Sequence, residues 1–248
     1  MAGFDDMTDV AIVVPTLNEA TTLPRLARLL AALDPQPAEV LVVDGGSTDG
    51  TAALARSLGL AVIEHDACGR SVQINRGVSE VSSQFVCVLH ADTSPPDDMV
   101  AVISRTLADR DIALAGFTPL LSGPDKVRWA TSFHNWIKTW YAPLIMRPHL
   151  FLRGVRLLFG DHAMFFRRAD FLAAGGCDPG TPVMEEADLC VKMARFGRVR
   201  LVNRVILTSD RRVAAWGEWK ANWIYFTVGI RWALGVRARL GDSYPHVR

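Results

Sequence analysis

A histidine and an aspartate two residues apart, His90-Ala91-Asp92, close an apolar run from Phe85 to Leu89. On a strand such residues point to one side, so an imidazole and a carboxylate there suit a divalent metal bridging two phosphates. The competing reading is a turn, enforced by Asp92-Thr93-Ser94 with Pro95 and Pro96. Asp44 ends a second apolar run, and the glycines of Gly45-Gly46-Ser47-Thr48-Asp49-Gly50 let a ligand approach the backbone. Asp49 also reads as a helix cap. Pro15-Thr16-Leu17-Asn18-Glu19 follows the first apolar run, where backbone and carboxylate suit a nucleobase or ribose; an N-cap at Asn18 or Thr21 is the alternative. Arg70, Gln73, Asn75 and Arg76 open a helical stretch whose N-terminal N–H groups suit phosphate or a sugar hydroxyl. Glu185 and Glu186 sit just before another helix, where one carboxylate can take a proton from an attacking hydroxyl. The helix dipole favours acids there whatever the function.

The elements that must position these groups alternate. Val10–Val14 reads as a strand, Thr22–Leu33 as a helix, Glu39–Val43 as a strand, Gly50–Leu58 as a helix, and Ala61–Ile63 as a third strand. A helix over Gly69–Val81 and the strand Phe85–Leu89 continue the series. Such alternation implies right-handed crossovers, a parallel sheet and ligands gathered at the carboxyl ends of its strands. The second half changes character: a Trp-rich stretch from Arg128 to Tyr141, a strand-like Ala163–Arg167 and a helix over Glu186–Phe196. Trp129, Trp136 and Trp140 read as core residues or as the wall of an acceptor groove.

Composition narrows the classes. The chain has 248 residues, and 27 basic residues against 26 acidic ones give a formal charge of +1, so no global field draws nucleic acid. Cys68, Cys87, Cys177 and Cys190 form no CxxC pair, which fits a reduced cytosol. The acidic N-terminus lacks the pattern of an export signal. The charge-free stretch Ala221–Ile230 is far short of the roughly 20 apolar residues that span a bilayer, so no integral membrane segment is expected. Trp216, Trp219, Trp223, Phe226 and Ile230 nevertheless recur at helical spacing near Lys220, Arg231, Arg237 and Arg239. A core-packing or dimer-packing helix is one reading, and peripheral contact with the inner face of the membrane is another.

In order, VPTLNE, VDGGSTDGT, GRSVQINRG, HADT and MEEADL resemble the motifs of family 2 glycosyltransferases, specifically a small single-domain bacterial group with GRxxQxN before HADT, over about Val10 to Tyr244. The resemblance implies an α/β fold of GT-A type: one domain over residues 1–248 with a Rossmann-like, mostly parallel sheet flanked by helices. Within it, about 10–95 is the nucleotide-sugar-binding half, about 96–215 the acceptor and catalytic half, and about 216–248 a C-terminal helical segment. It implies an inverting transfer from a nucleoside-diphosphate sugar, of UDP or GDP type, to an acceptor hydroxyl, including a lipid-linked one. Pro15, Thr16, Glu19, Asp44, Gly45, Arg70, Gln73, Asn75, Ala91, Arg211 and Arg212 then line the donor. Asp92 inherits a metal ligand from the family's Asp-x-Asp motif, with His90 in place of the first acid, a set that favours Mn2+ over Mg2+. Glu186 is the base, with Glu185 as runner-up. Asp161, His162 and Trp216 belong to the acceptor side. A nucleotidyltransferase of similar fold and a non-catalytic nucleotide-sugar-binding protein are the alternatives.

Overall fold

The computed structural model describes residues 9–65, 69–123, 126–181 and 183–236. The N-terminal residues 1–8, Cys68, Arg237 and Arg239 lie outside them. The first half follows the alternation read from sequence: β1 (Val10–Thr16), α1 (Leu23–Ala31), β2 (Glu39–Asp44), α2 (Thr51–Ser57), β3 (Ala61–Glu64), α3 (Arg70–Glu80) and β4 (Phe85–Val88). The second half comprises α4 (Met99–Ala108), β5 (Ile112–Ser122), α5 (Trp129–Met146) and α6 (Pro148–Leu152). After these come a 3-10 turn at Gly160–His162, β6 (Phe165–Arg167), α7 (Arg168–Ala174), α8 (Glu185–Met193), β7 (Arg198–Ser209), α9 (Arg211–Trp216) and α10 (Glu218–Ala233).

One seven-stranded sheet runs β3-β2-β1-β4-β6-β5-β7. All neighbouring pairs are parallel except those of β6, which is antiparallel to both β4 and β5. The carboxyl ends of β1, β2, β4, β5 and β7 therefore open on one edge, the place expected for a ligand in an open α/β sheet. β1 is buried along its whole length because helices cover both faces. Its alternate side chains enter two cores: Ala11 and Val13 on the α3 and α8 side, Val10, Ile12 and Val14 on the α1 and α4 side. Cys87, Cys177 and Cys190 are buried free thiols.

Gly77 shows how closely α3 must approach the sheet. A Cβ there would stand 2.3 Å from Val13 Cγ1. The N-cap of α1 is Thr22, rather than Asn18 or Thr21. Asn18 instead adopts a left-handed conformation, with φ at 57°, and ties two loops together. The core reading of the aromatic runs is also corrected. α5 buries Thr131, Ser132, Asn135 and Thr139 and exposes Trp129, Trp136 and Trp140. On α10, Ala221, Val228 and Trp232 face inward while Trp219, Trp223 and Phe226 are exposed.

Candidate functional site

The loops after β1 and β2 are laced into one surface. Thr16 Oγ1 donates to Asp44 Oδ1 at 2.9 Å, and the backbone N–H and hydroxyl of Ser47 both donate to the same carboxylate. The Asn18 backbone N–H donates to Ser47 Oγ and its side-chain oxygen accepts from the Thr48 N–H, while the backbone of Glu19 and Ala20 donates to Thr51 and Asp49. Pro15 and Thr16 are buried at the end of β1, and Asp44 is buried at the end of β2. Asp49 thus serves to join loops.

Gln73 and Asn75 work as ties between elements. Gln73 Nε2 donates to the carbonyls of Thr16 and Val43 at 2.7 and 2.8 Å, holding the ends of β1 and β2 together. Gly45 has to lack a side chain there, since a Cβ would lie 2.9 Å from the Gln73 amide. Asn75 exchanges two 2.8 Å bonds with the backbone of Cys177, pinning to α3 the segment that leads into α8. Arg70, one turn earlier, reaches across to Glu185 and Glu186 at 3.3 and 3.2 Å. Three side chains spaced along one helix therefore register the acidic pair of the second half against the strand ends of the first.

A bridge between Ser94 and Leu207 brings the end of β7 beside the loop after β4. Consequently Arg211 lies next to Asp92, donating to its Oδ2 at 2.7 Å and to Glu19 Oε1 at 3.0 Å. Asp210 turns the other way, to Arg128 Nε at 2.7 Å. The charges of Arg70, Asp92, Glu186 and Arg212 all reach the His90 ring. Desolvation, then Arg70, drives the His90 pKa down against the pull of Asp92 and Glu186, so its imidazole is neutral at pH 7. Burial, followed by repulsion from Glu186, drives Glu185 up to about 8 against the opposing pull of Arg70. Burial thus favours the protonated form of the Glu185 carboxyl.

The structure brings together Thr16, Glu19, Asp44, Arg70, His90, Asp92, Glu185, Glu186, Arg211 and Arg212 along this edge through the contacts and charge interactions above. Ala91 faces the core. Asp161 contacts α5 and His162: Asn135 donates to Asp161 at 3.3 Å, and Lys138 acts on it electrostatically, while His162 packs with Phe159. Lys138, which sequence reasoning passed over, is driven down to about 8 by burial, opposed by Asp161. Trp216 packs with Tyr225, beside Leu121 and Val213.

A metal here would find a neutral imidazole and a carboxylate. Among the described residues no group of three or more His, Cys, Asp or Glu side chains is disposed to hold an ion. An imidazole nitrogen and a carboxylate oxygen would suit a divalent cation that completes its shell with non-protein oxygens.

Residues 11–173 match the sequence model of glycosyl transferase family 2. The chain belongs to that family. It is 30% identical over 115 residues to the undecaprenyl-phosphate 4-deoxy-4-formamido-L-arabinose transferase of Yersinia enterocolitica, a match covering 42% of this chain and 35% of that protein. Its fold resembles the mannosyltransferase PcManGT of Pyrobaculum calidifontis, solved with GDP-Man and Mn2+, at a TM-score of 0.66 and 19% identity, covering 97% and 66% of the two chains. It also resembles the glucosyl-3-phosphoglycerate synthase of Mycobacterium tuberculosis, solved with Mn2+, UDP and glucosyl-3-phosphoglycerate, at 0.63 and 19%, covering 91% and 80%. At that identity the likeness is one of fold, and it is the GT-A arrangement.

Proposed function

We propose that this family 2 member transfers a sugar from a nucleoside diphosphate to an acceptor hydroxyl by one inverting displacement. The observation that carries the reading is the bridge from Arg70 to the acidic pair of the second half, with Arg70, Asp92 and Glu186 all acting on the His90 ring. Burial favours the protonated form of Glu185, and Glu186 is the carboxylate assigned to receive the acceptor's proton. The acceptor oxygen forms its bond to the anomeric carbon as the bond from that carbon to the diphosphate oxygen breaks. The electron pair leaves with the nucleoside diphosphate, and Arg211 and Arg212 offset its charge. His90 and Asp92 are the residues that would hold a divalent cation, whose contribution is Lewis-acid neutralisation of the same leaving group.

Thr16, Glu19 and Asp44 bind the nucleoside side of the donor, and Arg211 moves from Glu19 and Asp92 to the diphosphate. The acceptor is carried on a lipid, a reading supported by the undecaprenyl-phosphate in the name of the Yersinia relative.

The test is a panel of nucleoside diphosphate sugars incubated with the protein and Mn2+, with products identified. Release of a nucleoside diphosphate supports the transferase. Pyrophosphate would instead indicate nucleotidyl transfer. Glu186→Gln is expected to keep donor binding, measured by thermal shift, and to lower turnover by about 10²- to 10⁴-fold, the usual worth of a general base. Unchanged turnover removes Glu186 from the role.

A further inference from the structure

α5 is built inside out. Its buried face is mostly small and polar, whereas Trp129, Phe133, Trp136, Trp140 and Leu144 lie exposed on the opposite face. Steps of four, three, four and four residues make one continuous helical stripe. Trp219, Trp223, Phe226, Ile230 and Leu234 repeat the same steps along α10 and beyond its last turn. Exposure reaches 69% at Trp129 and 92% at Trp219, far beyond what an isolated surface aromatic needs.

The two helices run side by side in the same direction. His134 Nδ1 lies 3.2 Å from Asn222 Oδ1, Lys138 Nζ lies 5.5 Å from the Tyr225 ring and Arg147 lies 5.8 Å from the Trp232 ring. Neighbouring rings hold one another in place, Phe133 with Trp136 at 5.9 Å and Trp223 with Phe226 at 6.1 Å. An apolar surface of this extent marks an interaction site.

Charge selects the occupant. From Lys126 to Gly160 there are six Lys or Arg residues and no Asp or Glu; Arg128 is paired with Asp210 and Glu218, and Lys138 is buried towards Asp161, which leaves Lys126, Arg147, Arg153 and Arg156 on this side of the molecule. Arg153 and Lys220 are exposed, and Arg156 lies 4.3 and 4.4 Å from the rings of Trp140 and Phe151. A second copy docked face to face would oppose two basic surfaces. Basic side chains beside tryptophans instead match a negatively charged lipid surface. No helix among the described residues is long and apolar enough to cross a membrane. We propose that the α5 and α10 face seats the protein on an anionic bilayer. This rests on the surface alone and holds whichever chemistry the site performs.

Flotation of the full chain with phosphatidylcholine vesicles, with and without about a third phosphatidylglycerol, tests it. The expected result is at least tenfold more protein on the anionic vesicles, weakened by salt, with quenching of tryptophan fluorescence by brominated acyl chains. Trp219→Ser/Trp223→Ser and, separately, Arg156→Glu/Lys220→Glu should each lose tenfold or more of this binding while keeping the wild-type circular dichroism. Absence of anionic-vesicle binding and quenching in the wild type overturns the proposal, as does undiminished binding by folded variants. Self-association that hides the tryptophans in place of vesicle binding also overturns it, in favour of a second copy. Nucleoside diphosphate binding, measured on the same samples, reports on the transferase reading separately.

Discussion

Arg211 is the residue on which the donor-free site turns. With Glu19 on one side and Asp92 on the other, its guanidinium satisfies two carboxylates that would otherwise repel across a short gap. Arg211→Met is therefore expected to strengthen Mn2+ binding to the donor-free protein and weaken that of nucleoside diphosphate, both measured by calorimetry. Glu185 gives a pH signature of its own. Its folded-state pKa lies near 8, above the roughly 4.3 of an unfolded chain, so the folded state binds more protons between those values. Its contribution to stability is complete below the unfolded value and is lost as pH rises through about 8. Glu185→Gln should flatten that part of the melting-temperature profile and raise the melting temperature at the alkaline end.

At the scale of elements, α3 joins strand ends, a loop and the acidic pair through Gln73, Asn75 and Arg70. Its distance from the sheet matters accordingly. Gly77→Ala gains up to about 1 kcal/mol in helix propensity. Driving a methyl group into Val13 costs about 1–3 kcal/mol, so the net expectation is a lower denaturation midpoint. A rise in the midpoint would show that α3 can move away freely. GRxxQxN was legible as a helix start but not as a set of ties, because amide side chains that bond backbone carbonyls leave the same sequence trace as amides that bind a ligand. Arg70 likewise declared its charge without its partners, which lie 115 and 116 residues away.

Across the whole molecule, the half that reads clearly from sequence is the half in which short apolar runs alternate with helical spacing and polar loop motifs; β5 (Ile112–Ser122), though well buried, lies outside that alternation and is not announced by it. β1, β2 and β4 are apolar runs that stop at Thr16, Asp44 and His90, and the polar motif after each marks the functional edge. β7 carries Arg198, Arg200, Asn203 and Arg204, with several exposed positions along it, so no apolar run announces it. β6 has three residues and runs against its neighbours, a reversal that local pattern does not encode. α5 misleads for a different reason: helical periodicity tells which residues share a face, but not whether protein or another medium lies against that face.

The buried thiols also make the molecule its own stopwatch. Cys87 lies in β4, Cys177 on the segment pinned by Asn75, and Cys190 within α8, with burial suppressing thiolate formation at all three. An alkylating reagent must wait for each place to open. Peptide mapping of a labelling time course is expected to show Cys177 reacting before Cys87, because releasing a loop exposes less than parting a central strand from its neighbours. The interval between the two would time the loosening of the acidic motif against that of the sheet, with no probe added to the chain.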